Sequence, residues 1–175
     1  MKKQVTFHDG VASRLHDIIL GGQDGVVNVL GLVLGVASAT NDPKIVIIAG
    51  LASTFAESIS MGAVAYTSSE AENDYLTSIH KKFDAIHSPL SSALIVLFAS
   101  FIGSVIPIVP FFVVPVQTAM WSALVICSAV LFATGALKAR LTVGNWFNSG
   151  LRMMLVGILS AVAGYLIGHW LGVLL

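Results

Sequence analysis

Two carboxylates and a thioether interrupt stretches of this chain that are otherwise apolar. Asp24 lies in a run that begins near Ile18, and Glu57 and Met61 lie in one that begins near Ile45. Counted from the same side of a bilayer, helical rise places Asp24 roughly 9 Å deep, Glu57 roughly 13 Å and Met61 roughly 7.5 Å. An ionised carboxylate at such depth is costly unless it is paired, hydrated or protonated, so both acids are functional candidates. Carboxylate oxygens alone suit magnesium or calcium. A thioether beside them tilts the set toward a late first-row transition metal. The plainer readings are a protonated acid bonded to a neighbouring helix and, for Met61, simple packing.

The neighbours of these residues sharpen the case. Asp24, Asn28, Gly31 and Gly35 recur at i, i+4, i+7 and i+11, one stripe of a helix. Ser53, Glu57 and Met61 form an i+4 row, flanked by the small residues Gly50, Thr54, Ser58 and Gly62. Polar and small residues on one stripe indicate a face that meets another helix rather than lipid. With the two helices antiparallel, Asp24 and Met61 fall at similar height and Glu57 about one turn further out. Asn28 joins them as a neutral donor.

A second group occupies the polar segment 67–89. Glu70, Glu72 and Asp74 follow the second apolar run and are placed to draw cations to a pore mouth. His80, Asp84 and His87 recur at i, i+4 and i+7, which on a helix makes a metal-capture face; with Lys81 and Lys82 beside them, a solvated polar helix is the competing reading. His169 beside Trp170 reads as an interfacial residue, and Cys127 as a small packing residue. Ser160, Gly164, Gly168 and Gly172 mark a close helix contact. No nucleophile elbow, phosphate loop, paired-cysteine motif or HExxH occurs, so the chain reads as a non-enzyme.

The elements that must carry these residues follow from composition. Of 175 residues 56% are hydrophobic and 10% charged, with a mean hydropathy of +0.89. Soluble domains carry about 25% charged residues. A water-facing surface cannot be built from so few, and a net charge of zero gives no basic excess for nucleic acid. Five runs are long enough to span a bilayer as helices: Ile18–Ala39, Ile45–Tyr66, Leu90–Ile108, Val116–Leu137 and Leu151–Leu175. The expected fold is an all-α integral membrane protein of five transmembrane helices. The chain divides into an N-terminal segment (1–17), helices 1 and 2 (18–66), a short cytoplasmic loop (67–89) and helices 3 to 5 (90–175). Val5–Asp17, with Phe7, Val11 and Leu15 on one side, is expected to form an amphipathic helix on the inner membrane surface. No secretory signal precedes it. With the N-terminus cytoplasmic, inner segments hold Lys2, Lys3, Arg14, Lys81, Lys82, Lys138, Arg140 and Arg152, and outer segments hold only Lys44, as the positive-inside rule requires.

Several motifs now resemble the vacuolar iron transporter family. The first span reads Gly21-Gly22-Gln23-Asp24-Gly25-Val26-Val27, where the family has Asn-Asp-Gly-hydrophobic-Val. The second holds Ala49-Gly50-Leu51-Ala52 and Ser60-Met61, the fourth ends Gly135-Ala136-Leu137-Lys138-Ala139, and the fifth has Met154-Leu155, Gly157 and Tyr165-Leu166-Ile167-Gly168. The similarity runs from about Leu15 to Gly172. It implies a homodimer of five-helix protomers in which ferrous iron, and often manganese, leaves the cytoplasm in exchange for protons. The implied path follows the dimer interface between the first two helices, where Asp24, Glu57 and Met61 match lining positions; no tightly bound cofactor is implied. Two departures stand out. Val64 and Ala65 replace a common Gly-Glu pair, and only 23 residues occupy the place of a glutamate-rich three-helix metal-binding domain. The competing functions are a carrier or channel for another cation such as calcium, and a membrane scaffold that transports nothing. The short loop suits a prokaryotic plasma membrane.

Overall fold

The computed structural model describes residues 5–78, 88–142 and 144–174. Among them the order is α1 (Val5–Thr40), α2 (Pro43–Ser78), α3 (Pro89–Val105), a 3-10 turn (Val109–Phe112), α4 (Val116–Leu141) and α5 (Trp146–Leu174). Four of these helices are long and apolar enough to cross a membrane, and α3 is shorter. Ile48, Trp121 and Leu159 are each 69% exposed on the outside of the bundle. Large apolar side chains spread over every outer face are stable in lipid and would aggregate in water. The protein is an integral, multi-pass membrane protein.

Three boundaries differ from the sequence expectation. The segment 5–17 is not a separate piece: α1 runs unbroken from Val5 into the first span, with no proline to interrupt it. Residues 67–78, expected in a loop, are helical and extend α2 to Ser78, because 67–78 contains neither glycine nor proline. The third span stops at Val105 instead of Ile108, since Pro107 cannot donate to the preceding turn. At 17 residues, α3 measures about 25 Å against a core of about 30 Å. The buried Ile108 and Phe111 in and beside the 3-10 turn complete that layer.

A tight turn sets α1 against α2. Asn41 adopts φ 49°, a left-handed conformation that asparagine tolerates, and its N–H donates to the Ala37 carbonyl at 3.0 Å. The Asp42 carboxylate accepts from the Lys44 N–H at 2.8 Å and caps α2, whose first residue is Pro43.

Glycines then set the remaining directions. A Cβ on Gly21 would meet Ser100 N–H and Ala99, and one on Gly25 would meet Ser104, so α3 runs parallel to α1. Gly31 faces Ser160 and Gly35 faces Gly164, so α5 also runs parallel to α1. The Ser160 hydroxyl donates to the Val27 carbonyl at 2.9 Å, and the Ser38 hydroxyl to the Tyr165 carbonyl at 3.1 Å, across this seam. Gly62 against Ala93 and Gly50 against Ile108 make α2 antiparallel to α3, while Gly135 against Ser149 and Gly150 makes α4 antiparallel to α5. Helix α1 is therefore the axis of the bundle; Val29, Leu30 and Val33 are fully enclosed. Cys127 is buried among packing residues, as its sequence context suggests.

Asp17 is also enclosed, at 6% exposure, rather than ending a surface segment. The Ser92 hydroxyl of α3 donates to its Oδ2 at 2.5 Å, and His16 Nδ1 stands 3.4 Å from Oδ1. This bond ties the inner end of α1 to the first turn of α3.

Two outcomes follow. Gly164→Leu forces a side chain into the Gly31 carbonyl and costs about 1–3 kcal/mol, read as a lower melting temperature in detergent, whereas Val162→Leu on the outer face leaves that temperature unchanged. Asp17→Ala leaves the buried Ser92 hydroxyl without its acceptor and costs about 1–3 kcal/mol; Asp17→Asn keeps an acceptor and recovers most of that loss in the same melt.

Candidate metal centre

The α1–α2 turn at Asn41 brings Asn28 and Glu57 to similar distances from the hairpin tip. Across the seam the Asn28 amide donates from Nδ2 to Glu57 Oε1 at 2.9 Å. The Asp24 carboxyl, one turn further along α1, is a charged neighbour of the same group, and the Ser104 hydroxyl of α3 lies beside it. Three helices thus converge on one carboxylate. Gly25 makes this possible: a Cβ there would meet Ser104 Oγ at 2.6 Å, so only glycine lets α3 come this close to α1.

The second oxygen of Glu57 is buried and has no hydrogen-bond partner, and neither has the hydroxyl of Ser104 or Ser100. Buried polar atoms are nearly always partnered. An orphaned carboxylate oxygen in the apolar slab is a place where a proton or a cation supplies the missing contact. The donors at hand are two carboxylates, the Asn28 side-chain oxygen and a serine hydroxyl. Met61 is half-buried one turn from Glu57 on α2, at the level of Asp24, and can add its sulfur. Among the described residues no three acids, histidines or cysteines stand close enough to hold an ion by themselves. The set is therefore two acids supplemented by neutral donors. It opens outward, since Asn28 is exposed at the surface of the protomer.

The other expected residues stand apart. Glu70, Glu72 and Asp74 are exposed on the extension of α2. Glu70 is about 20 Å along the helix axis from Glu57, so these acids stand apart from the intramembrane cluster. His80, Asp84 and His87 lie outside the described residues. His169 stacks on Tyr165, ring centroids 5.9 Å apart, and takes no part in the cluster.

Sequence reasoning missed Asp17, Ser100 and Ser104. The first has a signal: Asp17 and Asp24 are seven residues apart with Gly21 between them, which is one helix face. Ser92, Ser100 and Ser104 likewise share a face of α3 through multiples of four. Hydroxyls are so common in membrane helices that this spacing acquires meaning only once Gly21 and Gly25 are seen to lie on it.

Comparison with known proteins agrees with this architecture. The VIT family model matches residues 15–84 and 77–169, two pieces that meet in the short segment between α2 and α3. An uncharacterized protein of Methanocaldococcus jannaschii is 31% identical over 86% of both chains. Vacuolar iron transporter 1 of Tulipa gesneriana is 22% identical over 208 aligned positions, covering 86% of this chain and 84% of its own. That alignment is longer than this chain, so the tulip protein carries segments absent here. The vacuolar iron transporter of Plasmodium falciparum is 37% identical over 75 residues, 43% of this chain and 28% of its own length. With the family model covering both halves of the bundle and a relative matched along most of its length, this chain belongs to the VIT family.

Proposed function

We propose that the protein carries divalent transition-metal ions, ferrous iron foremost and manganese as a second ion, out of the cytoplasm in exchange for protons. The observation that carries this reading is the Glu57 carboxyl: one oxygen held by Asn28, the other buried without a partner beside Asp24. Family membership and relatives named as vacuolar iron transporters support metal transport. The mixed donor set supports a transition metal over calcium, because a thioether adds nothing to a calcium shell.

The exchange follows from shared ligands. A carboxylate that binds metal must be ionised, so metal affinity falls as pH falls. On the cytoplasmic side Asp24 and Glu57 give up protons and take the ion. On the acidic side protons displace it, and the protonated pair returns with the orphaned oxygen satisfied by its own hydrogen. Asn28 acts by orienting Glu57 across the seam. The exposed acids of the α2 extension raise the local cation concentration at the entrance. The membrane that fits a short member of this kind is a prokaryotic plasma membrane, with the inner ends of α1, α3 and α5 at the cytoplasm.

A homodimer would complete the ion shell. On α2, beside Glu57, the exposed residues Ala52, Ala56, Ser60, Ala63 and Thr67 are all small, whereas the exposed Ile48, Phe55 and Ile59 on the opposite flank are bulky. Small residues let backbones approach and large ones suit lipid, so the small flank is the one a second protomer covers. Two copies would then bring two Asp24–Glu57 pairs to one seam.

Proteoliposomes with an acidic lumen are expected to take up ferrous iron faster than those without a gradient, and a protonophore should remove the difference. Uptake indifferent to the gradient rejects exchange. Glu57→Gln should abolish uptake, and wild-type rates in that variant reject Glu57 as a ligand. Asn28→Ala should weaken metal binding by about 10–100-fold, the usual penalty for losing a group that orients a ligand.

Disulfide trapping in native membranes tests the assembly. Ala56→Cys should cross-link to a dimer under mild oxidation, while Ile48→Cys, on the bulky flank, should stay monomeric. The reverse pattern places the interface elsewhere.

A further inference from the structure

A polar cleft of about 340 Å³ lies at the α4–α5 turn, away from the metal cluster, lined by Lys138, Thr142, Asn145, Asn148, Ser149 and Arg152. Its two cations have no acid to pair with on their own hairpin, because the sequence contains neither Asp nor Glu after Asp84. Arg140, the third cation of the turn, is occupied differently: its guanidinium lies 5.7 Å from the centre of the Trp146 ring. The Asn145 carboxamide caps α5, accepting from the Phe147 N–H at 3.0 Å, so the positive end of that helix also borders the cleft. Two cations with no acidic partner among the described residues, amide and hydroxyl donors and a helix N-terminus form a receptor for a compact anion.

The surroundings identify its source. Phe132, Trp146 and Phe147 pack edge to face beside the turn, and such an aromatic group marks headgroup level. Leu137, Leu141, Trp146 and Phe147 are all about half exposed next to the cleft. An anion held here has apolar surface beside it on the membrane side, which suits a molecule with acyl chains. We propose that the cleft binds the phosphate of an anionic glycerophospholipid, with Lys138 and Arg152 on the phosphate oxygens and an acyl chain along Leu137 and Leu141. Basic pockets between transmembrane helices on one leaflet are suited to such headgroups. The bound lipid steadies the α4–α5 hairpin, and through the α5–α1 seam the axis of the bundle. The site is independent of the metal reading and stands or falls separately.

The test uses the full chain in a neutral detergent, with native mass spectrometry and thermal melts as readouts. Phosphatidylglycerol should be retained at one molecule per protomer and raise the melting temperature by several degrees; phosphatidylcholine and inorganic phosphate should do neither. The double variant Lys138→Gln, Arg152→Gln should lose both effects, Arg152→Gln alone should lose part, and Arg14→Gln, which removes an exposed cation on α1, should keep both. Equal retention in the double variant, equal loss in Arg14→Gln, or a full shift with inorganic phosphate alone would overturn the proposal. Because the lipid count does not depend on iron uptake, failure here leaves the metal site untouched, and the reverse holds.

Discussion

Close approach of backbones around α1 is the constraint on which the rest of the molecule depends. Lipid tails are as apolar as leucine, so helices in a bilayer gain little from hiding apolar side chains against one another. They associate where small residues let main chains touch. Gly21 and Gly25 admit α3, and Gly31 and Gly35 admit α5, on different sides of the same helix. Seam hydroxyls reinforce the contact by donating across it, as Ser160 does to Val27 and Ser38 does to Tyr165. On α2 the Thr54 hydroxyl bonds back to Gly50 and Ser58 to Thr54, and both are spared the cost of an unpartnered group.

That geometry determines what the acids experience. With α3 pressed against Gly25, the Ser104 hydroxyl lies beside the Glu57 carboxyl from a third direction, and one carboxylate oxygen is buried without a hydrogen-bond partner. The other is fixed by Asn28. A carboxylate half satisfied in this way is the feature on which the proposed exchange rests. Asp17 is the contrasting case on the same helix: its carboxyl is buried too, but a direct bond from Ser92 makes it a fastening for α3.

The exposed side of the cluster has its own logic. Asn28 is open at the protomer surface, and the flank of α2 beside it exposes the small residues Ala52, Ala56, Ser60 and Ala63 together with Val64. Asp24 and Glu57 are half-buried behind it. The extension of α2 to Ser78 carries Glu70, Glu72 and Asp74 on one continuous helix, and the two pieces of the family match meet just after it.

Much of this was written in the residues one after another. Composition demanded a bilayer, and apolar runs of sufficient length demanded helices. The i+4 spacing of Asp24 with Asn28, and of Glu57 with Met61, placed each pair on a face before any packing was known. These are local properties, set by helical periodicity and by what lipid forbids. Which faces meet is not local. That Asp17 is buried while Glu70 and Glu72 are free, that Ser104 reaches Glu57, and that Lys138 and Arg152 share a cleft depend on where separate helices cross. Those crossings depend on the sum of many weak backbone contacts between glycines far apart in the chain. Only the folded bundle evaluates that sum, and it alone decided which acid became a fastening and which kept an oxygen without a partner.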